Sequence, residues 1–528
     1  MAKNVDGYND LMDLFIEFRD LIKPNVKNGV PDFTKSAMEK QFDNLKILQD
    51  RLSKIDLYSW NIKQKVDYHV LRSEMNGVEF DHRVLKQWSR DPGFYNLSDG
   101  IYPRLLVHHS KSLSNWGLYE PSFPLSLKDQ KDFRVKLESI PFLFDQAKSN
   151  LTEAVPDLAE IAIRVKEKDI QLLEGFKKDF SLHHPYLLSF LEKAIIATTD
   201  FREWLCEKKN NMTGKVGIGK KNYNWWMKNV HLIPYTWDEI YTMISCEYDR
   251  ALSFLKIEEN KNKSMPKFHI TESEEENIFR QSEAVSRLMK FLKEQEIITV
   301  PENLEPLPKN QFPRVWGSSA YKRPDHIGFF EQVNDRDPMT NIAHVFFGHY
   351  YLDGRKIWYQ KKDDSLIRGK IRLYDIHEAR SEALAFGIEE WLLQAGLFDD
   401  IPRSKEITYV WQVFRNVRAL SDLKMHSNEF NLMDGINFFS DNVPNNWAEK
   451  NDDAVWWDIE ETLRAPGHST NYIVGKNMIH QLIAERSRNL GSDFSLKKFF
   501  DDFMNGGIIP ISLTRWELTG RNGTDQFY

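Results

Sequence analysis

Apolar residues recur at three- and four-residue steps along most of the chain, the pattern of helices that bury one face. Leu11, Leu14, Phe15, Phe18 and Leu21 form one such stripe. Residues 151–208 hold several, broken near Pro185, and 277–297 repeats the pattern with Ile278, Ala284, Leu288, Phe291 and Leu292. Leu384–Leu393, Val410–Leu423, Ile473–Asn489 and Ser495–Met504 predict four more helices, the last opened by Ser495 as N-cap. Strand-like alternation is rare. Lys370–Tyr374 alternates, and Val230–Ile233 reads as extended. These positions predict a mainly α fold with a small β element near the site.

Irregular stretches rich in Pro and Gly fall at 91–103, 212–222, 298–328 and 441–454. The segment 298–328 carries five prolines and predicts a boundary between lobes, 1–300 and 301–528, the second carrying the site. No internal repeat or low-complexity linker interrupts this order.

Composition adds limits. Of 528 residues, 41% are hydrophobic and 13% aromatic, enough for a large core and too many for a disordered chain. The net charge of −7, with both signs interspersed, excludes the basic footprint of a nucleic-acid binder. A small-molecule or short-peptide substrate is the expected partner. Cys206 and Cys246 read as free, buried thiols in a reducing compartment. The first residues lack the apolar core of a signal peptide, and no apolar run reaches the roughly 18–20 residues of a membrane span. The expected location is cytoplasmic, without a membrane partner.

Four segments concentrate groups able to do chemistry. In 342–352, His344 and His349 stand among aromatic residues. Two histidines on adjacent turns with a distant Glu make a His₂Glu zinc set, but the usual spacing is four. A spacing of five lies about 140° apart on an α-helix. The pair could then share an ion only across a break, for which Gly348 gives the opportunity; core or capping histidines are the plainer reading. His377-Glu378-Ala-Arg-Ser-Glu382 puts two carboxylates on one helix face, either as a solvated first turn or as acid–base groups. Arg418, Asp422 and His426 recur every four residues, either as an ion-pair ladder or as an Asp orienting a His toward substrate. Pro466-Gly467-His468 reads as a loop with an imidazole at its tip, one turn before Tyr472, and the two could stabilise an oxyanion.

In this order the four segments resemble a large bacterial family, domain of unknown function 885, grouped with helical gluzincin-type zinc peptidases. Its pattern Pro-Gly-Gln-x-x-x-Tyr-x-x-Gly is similar to Pro466-Gly467-His468-Ser-Thr-Asn-Tyr472-Ile-Val-Gly475. Its later Leu-Gly, Phe and Gly-Pro positions resemble Leu490-Gly491, Phe494 and Gly506 to Pro510. Its Arg-x-x-x-Asp-x-x-x-His resembles Arg418, Asp422 and His426, and its Glu-Gly-Trp-Ala-x-x-x-Glu resembles Glu382 to Glu389. The resemblance implies a two-lobed helical gluzincin-like fold with a central cleft. It also implies a divalent metal, zinc above all, on His344, His349 and Glu382.

The departures bear on the reaction. The family writes its metal helix His-Glu-Ala-x-Pro-Gly-His, whereas this chain has Ala343-His344-Val345-Phe346-Phe347-Gly348-His349. The glutamate that takes a proton from metal-bound water is missing, a loss of roughly 10²–10⁴ in rate for general-base catalysis. The family's Arg-Tyr pair is replaced by Glu461 and Thr462. The expected function is a metal-dependent enzyme with altered, non-peptidase chemistry: a lyase, hydrolase or redox step on a small amino-acid-like or peptide substrate. His344, Glu378, Arg418, Asp422, His426, His468 and Tyr472 are its acid–base and substrate-facing candidates, with His377 a further potential ligand. The alternatives are a zinc peptidase with Glu378 as base, and a metal-free binding protein that keeps only the cleft.

Overall fold

The computed structural model describes residues 7–97, 122–300, 327–354, 366–369 and 373–521. They are mainly helical, with one two-stranded antiparallel hairpin pairing Val26–Lys27 with Val30–Pro31. The expected β elements differ: residues 230–233 are irregular, and 370–372 lie outside the described residues. Most of the five-proline segment lies outside them too.

The chain packs as two compact units. The first comprises Met1–Ser59, Leu71–Asn222 and Ile371–Tyr374; the second comprises Trp60–Val70, Tyr223–Lys370 and Asp375–Tyr528. Residues 223–300, assigned from sequence to the N-terminal lobe, thus pack with the C-terminal half. Helix Trp237–Lys261, started by a Thr236–Glu239 capping box, lies along helix Pro402–His426.

In the first unit, helix Leu127–Asn150 points Phe133, Leu137, Ile140, Phe144 and Ala147 at helices Pro156–His183 and Leu188–Lys209. Ser126 caps it by accepting from the Asp129 N–H. Lys166 and Asp169 form a fully buried ion pair there, and the Lys166 ammonium also donates to Asn96. Cys206 and Cys246 are free but exposed, correcting the expectation of buried thiols.

Asp81 opens a π-helical turn, Asp81–Leu85, and is buried. Burial pushes its carboxyl up to about 7, against a hydrogen bond from the Gln87 backbone. An unfolded chain ionises this group near the ordinary ~3.9. Below pH ~4 both states are protonated, so Asp81 sets no slope. From about 4 to 7 the folded state keeps a proton that the unfolded state releases, and stability falls by roughly 1.4 kcal/mol per unit. Above 7 the loss is complete and constant. Asp81→Asn should therefore raise the urea midpoint at pH 8 and leave it nearly unchanged at pH 4. Equal effects at both pH values would contradict this account.

In the second unit, three helices carry the core: Glu378–Gln394, Pro402–His426 and His468–Leu490. Pro402–His426 is buried without interruption from Ile407 to Leu423. Yet Ser404, Thr408, Gln412, Arg415, Arg418, Asp422 and His426 recur along it at three- and four-residue steps. A polar stripe inside a core requires partners for every group on it, and that stripe leads to the site.

Candidate metal centre

The segment Ile342–Gly354 is a π-helix of 13 residues. Its hydrogen bonds link residues five apart and its turn is wider, about 4.4 residues, so positions five apart lie only about 50° from one another around the axis. His344 and His349 therefore share a face. Their rings lie 4.8 Å apart and nearly perpendicular, with the Nε2 atoms 3.2 Å apart. The break at Gly348 that an α-helix would have needed does not occur: the helix runs through it. Gly348 instead permits close packing, since a Cβ there would sit 2.6 Å from the Ala385 Cβ.

Helix Glu378–Gln394, held at that distance, supplies Glu382. Its Oε2 lies 3.2 Å from His349 Nε2 and 3.8 Å from His344 Nε2. A triangle with edges 3.2, 3.2 and 3.8 Å has a circumscribed radius of about 2.0 Å. An ion at its centre would therefore sit at the zinc–nitrogen and zinc–oxygen distances of about 2.0–2.2 Å. Among the described residues these three form the one group of His, Cys, Asp and Glu with such geometry. His377 stands outside it.

The ligands are braced from behind. His344 Nδ1 lies 2.8 Å from Glu389 Oε1, and Arg415 Nη1 lies 2.7 Å from that same oxygen. Gln412 donates to the other carboxylate oxygen. The approach is a close ionic contact and not a hydrogen bond, since neither His344 Nδ1 nor Glu389 Oε1 has a hydrogen-bond partner among the described residues. A carboxylate in this place is where the supporting partner of a metal-bound histidine stands. Burial, with Arg415 and His349 nearby, holds His344 well below the usual histidine range, in the neutral form that ligation needs. Burial alone would raise Glu382, but His349 beside it outweighs this and holds the carboxyl well below its usual range. Burial pushes Glu389 up to about 7 against the pull of Arg415.

The remaining candidates divide into two groups. Glu378, His468 and Tyr472 gather beside Glu382. His468 is buried in the first turn of its helix, which corrects the expectation of a loop tip. Its Nδ1 is 2.5 Å from Glu378 Oε1, and its Nε2 is 3.5 Å from Glu461 Oε2. Asn471 donates to the other oxygen of Glu378 and meets His231. Glu378 is thus buried and committed, not part of a solvated first turn. The Tyr472 ring stacks parallel to His344 at 6.3 Å and lies 5.6 Å from His468. Burial and the Glu382 charge push its phenol well above the usual range.

Arg418, Asp422 and His426 have their nearest partners elsewhere, although His426 stays within 3.9 Å of Asp422. Arg418 pairs with Asp458 at 2.7 Å. Asp422 accepts the Gly467 and Ser469 N–H groups, capping the helix that carries His468 and Tyr472. Burial pushes Asp422 up to about 7. His426 is fully buried, and its Nε2 donates to the Thr462 carbonyl at 3.0 Å, 3.9 Å from Asp422. Asp422 and His426 build the scaffold behind the site.

Sequence reasoning missed Arg415, Asp458, Asn471, His231 and the bracing role of Glu389. Glu389 follows Glu382 by seven residues, two turns along the same face, a spacing that could have shown it.

The fold and site define a mainly helical protein with a partly buried His₂Glu candidate metal centre. Residues 385–518 match a family model described as bacterial protein of unknown function (DUF885), and the chain resembles that family. The matched span holds Glu389, Arg415, Arg418, His468 and Tyr472 but begins after all three candidate ligands. Two solved structures share the fold. One, from Shewanella oneidensis and described as a candidate lipoprotein of unknown function, is 16% identical with a TM-score of 0.69, covering 98% of this chain and 100% of that one. The other, a candidate lipoprotein from Colwellia psychrerythraea, is 13% identical with a TM-score of 0.67, covering 99% and 100%. No curated protein matches the sequence. Among the described residues no helix is long and apolar enough to cross a membrane.

Proposed function

We propose that the chain is a metal-dependent enzyme that holds one zinc ion on His344, His349 and Glu382. It acts on a small amino-acid-like or short-peptide substrate by lyase, hydrolase or related chemistry outside the ordinary zinc-peptidase scheme. The observation that carries this is the ligand triangle, whose radius of about 2.0 Å equals a zinc–ligand bond. The Glu389 brace behind His344 adds to it, because such a carboxylate has the arrangement expected behind a metal-bound imidazole.

The bound ion would supply Lewis acidity toward a substrate oxygen. This chain's own residues would handle protons. The π-helix offers no glutamate beside the ligands; Val345 and Phe346 fill that stretch. The Glu378–His468 pair stands one helical turn from Glu382 and has the carboxylate–imidazole form of an acid–base unit. Tyr472, facing Glu382, is placed to donate to a developing oxyanion. A zinc-peptidase reading would make Glu378 the base, but both Glu378 oxygens are engaged by His468 and Asn471.

Zinc titration of the purified protein tests the centre. One equivalent should bind. His349→Ala and Glu382→Gln should each weaken binding by more than the roughly 10–100-fold lost with a supporting partner. No zinc uptake at micromolar ion, or variants that bind like wild type, would end this reading. Peptide cleavage lost in His349→Ala would move the reaction to ordinary zinc hydrolysis.

A further inference from the structure

Arg418 is buried, with 6% of its side chain exposed. Its Nη1 donates to Asp458 Oδ1 at 2.7 Å. Its Nε and Nη2 are buried and meet no described residue in hydrogen-bond geometry; the Tyr472 side chain is near enough to interact with the cation, but the guanidinium lies over its ring. Two buried donors without partners on one charged guanidinium are costly to leave unmade. They also form one edge of the fork. That edge, Nε with Nη2, is the shape that takes both oxygens of a carboxylate at once. Asp458 occupies only the other side.

Arg418 is linked to the candidate metal centre through Tyr472. The guanidinium carbon sits 4.4 Å from the Tyr472 ring centroid, and that ring is 6.3 Å from the His344 ring. Arg418 and His344 are therefore no more than about 11 Å apart. An extended chain advances about 3.3–3.6 Å per residue. A substrate touching both would carry its anionic group within about two or three residues of the group at the ion.

We propose that the site's substrate bears a carboxylate, and that the Nε–Nη2 edge of Arg418 grips it while the reacting group faces His344, His349 and Glu382. The substrate class is thus a free-acid amino-acid derivative or the carboxyl end of a very short peptide. This rests on the metal-centre reading above. Arg418 is the specificity-determining residue. Tyr472 stands between the two ends of the substrate, beside the guanidinium on one side and the ligands on the other. A neutral amide in place of the carboxylate would offer the Nε–Nη2 edge one acceptor oxygen in place of two and should be rejected.

The test uses full-length protein, zinc-loaded and zinc-free, and two probes measured by calorimetry: glycyl-leucine and its C-terminal amide. The zinc-loaded protein should bind the acid at least tenfold more tightly than the amide. Arg418→Lys keeps a cation for Asp458 but loses the fork. It should bind zinc as wild type does, while the acid–amide ratio falls to about threefold or less, a loss near 0.7 kcal/mol or more. Equal affinity for acid and amide, absence of binding by either, or a ratio unchanged in Arg418→Lys overturns the carboxylate proposal. Failure of zinc to bind is read separately and overturns the metal centre. If Arg418→Lys does not fold, the acid–amide ratio of the wild type decides alone.

Discussion

Gly475→Ala will unfold or severely loosen the second unit, with a loss of about 3 kcal/mol or more. Gly475 lies in helix His468–Leu490 where it crosses helix Glu378–Gln394. A Cβ built there sits 1.9 Å from the Ala379 carbonyl oxygen and 2.5 Å from the Ala383 Cβ. Backbone cannot turn aside as a flexible side chain can, so the helices must separate. Overpacking costs about 1–3 kcal/mol even where side chains can adjust, against a total stability of about 5–15 kcal/mol. The separation would also carry Tyr472, one turn before Gly475, away from Glu382, one turn beyond Ala379. Zinc affinity should fall together with the melting temperature. Gly175→Ala supplies the contrast. It sits within helix Pro156–His183, where an added Cβ meets nothing within 4 Å. There the helix propensity of alanine should raise stability by about 0.5–1 kcal/mol. A Gly475→Ala protein that melts with wild type would show that the two helices are not held at the described distance.

The helices were legible because their cores repeat at helical spacing. Leu11, Leu14, Phe15 and Phe18 in one helix, and Ala284, Leu288 and Leu292 in another, are buried where the pattern selects them. The π-helix was not legible. Ile342 to Gly354 is apolar nearly throughout, so no stripe revealed its winding, and His344 with His349 looked misaligned on an assumed α-helix. The candidate ligands were found by residue type and family likeness; their convergence came only from the wider turn. Pro466-Gly467 looked like an open loop because both residues disfavour helix. In fact Gly467 takes a left-handed φ of 86° directly before the helix, and Asp422 caps it. The imidazole expected at a loop tip is therefore in the core. Glu389 was hidden for a different reason. Acidic residues along a helix normally face water, and sequence carries no sign that Arg415, from another helix, arrives to neutralise one.

That hidden carboxylate carries the second large effect. Glu389→Ala should destabilise the second unit by about 3–5 kcal/mol, the range for a buried ion pair that loses one partner. Arg415 would be left in a site where Glu389 is wholly inaccessible and the arginine nearly so. His344 would lose the carboxylate oxygen 2.8 Å from its Nδ1. Zinc affinity should drop by about 10–100-fold, as for other supporting partners of metal-bound histidines. Glu389→Gln separates the two effects. It keeps the volume and an oxygen to accept from Arg415, so the fold should survive better than in the alanine variant. It removes the negative charge behind the imidazole, so zinc should still bind more weakly than in wild type. If alanine lowers stability while both variants hold zinc as tightly as wild type, Glu389 supports the fold alone and the brace behind His344 does nothing for the ion.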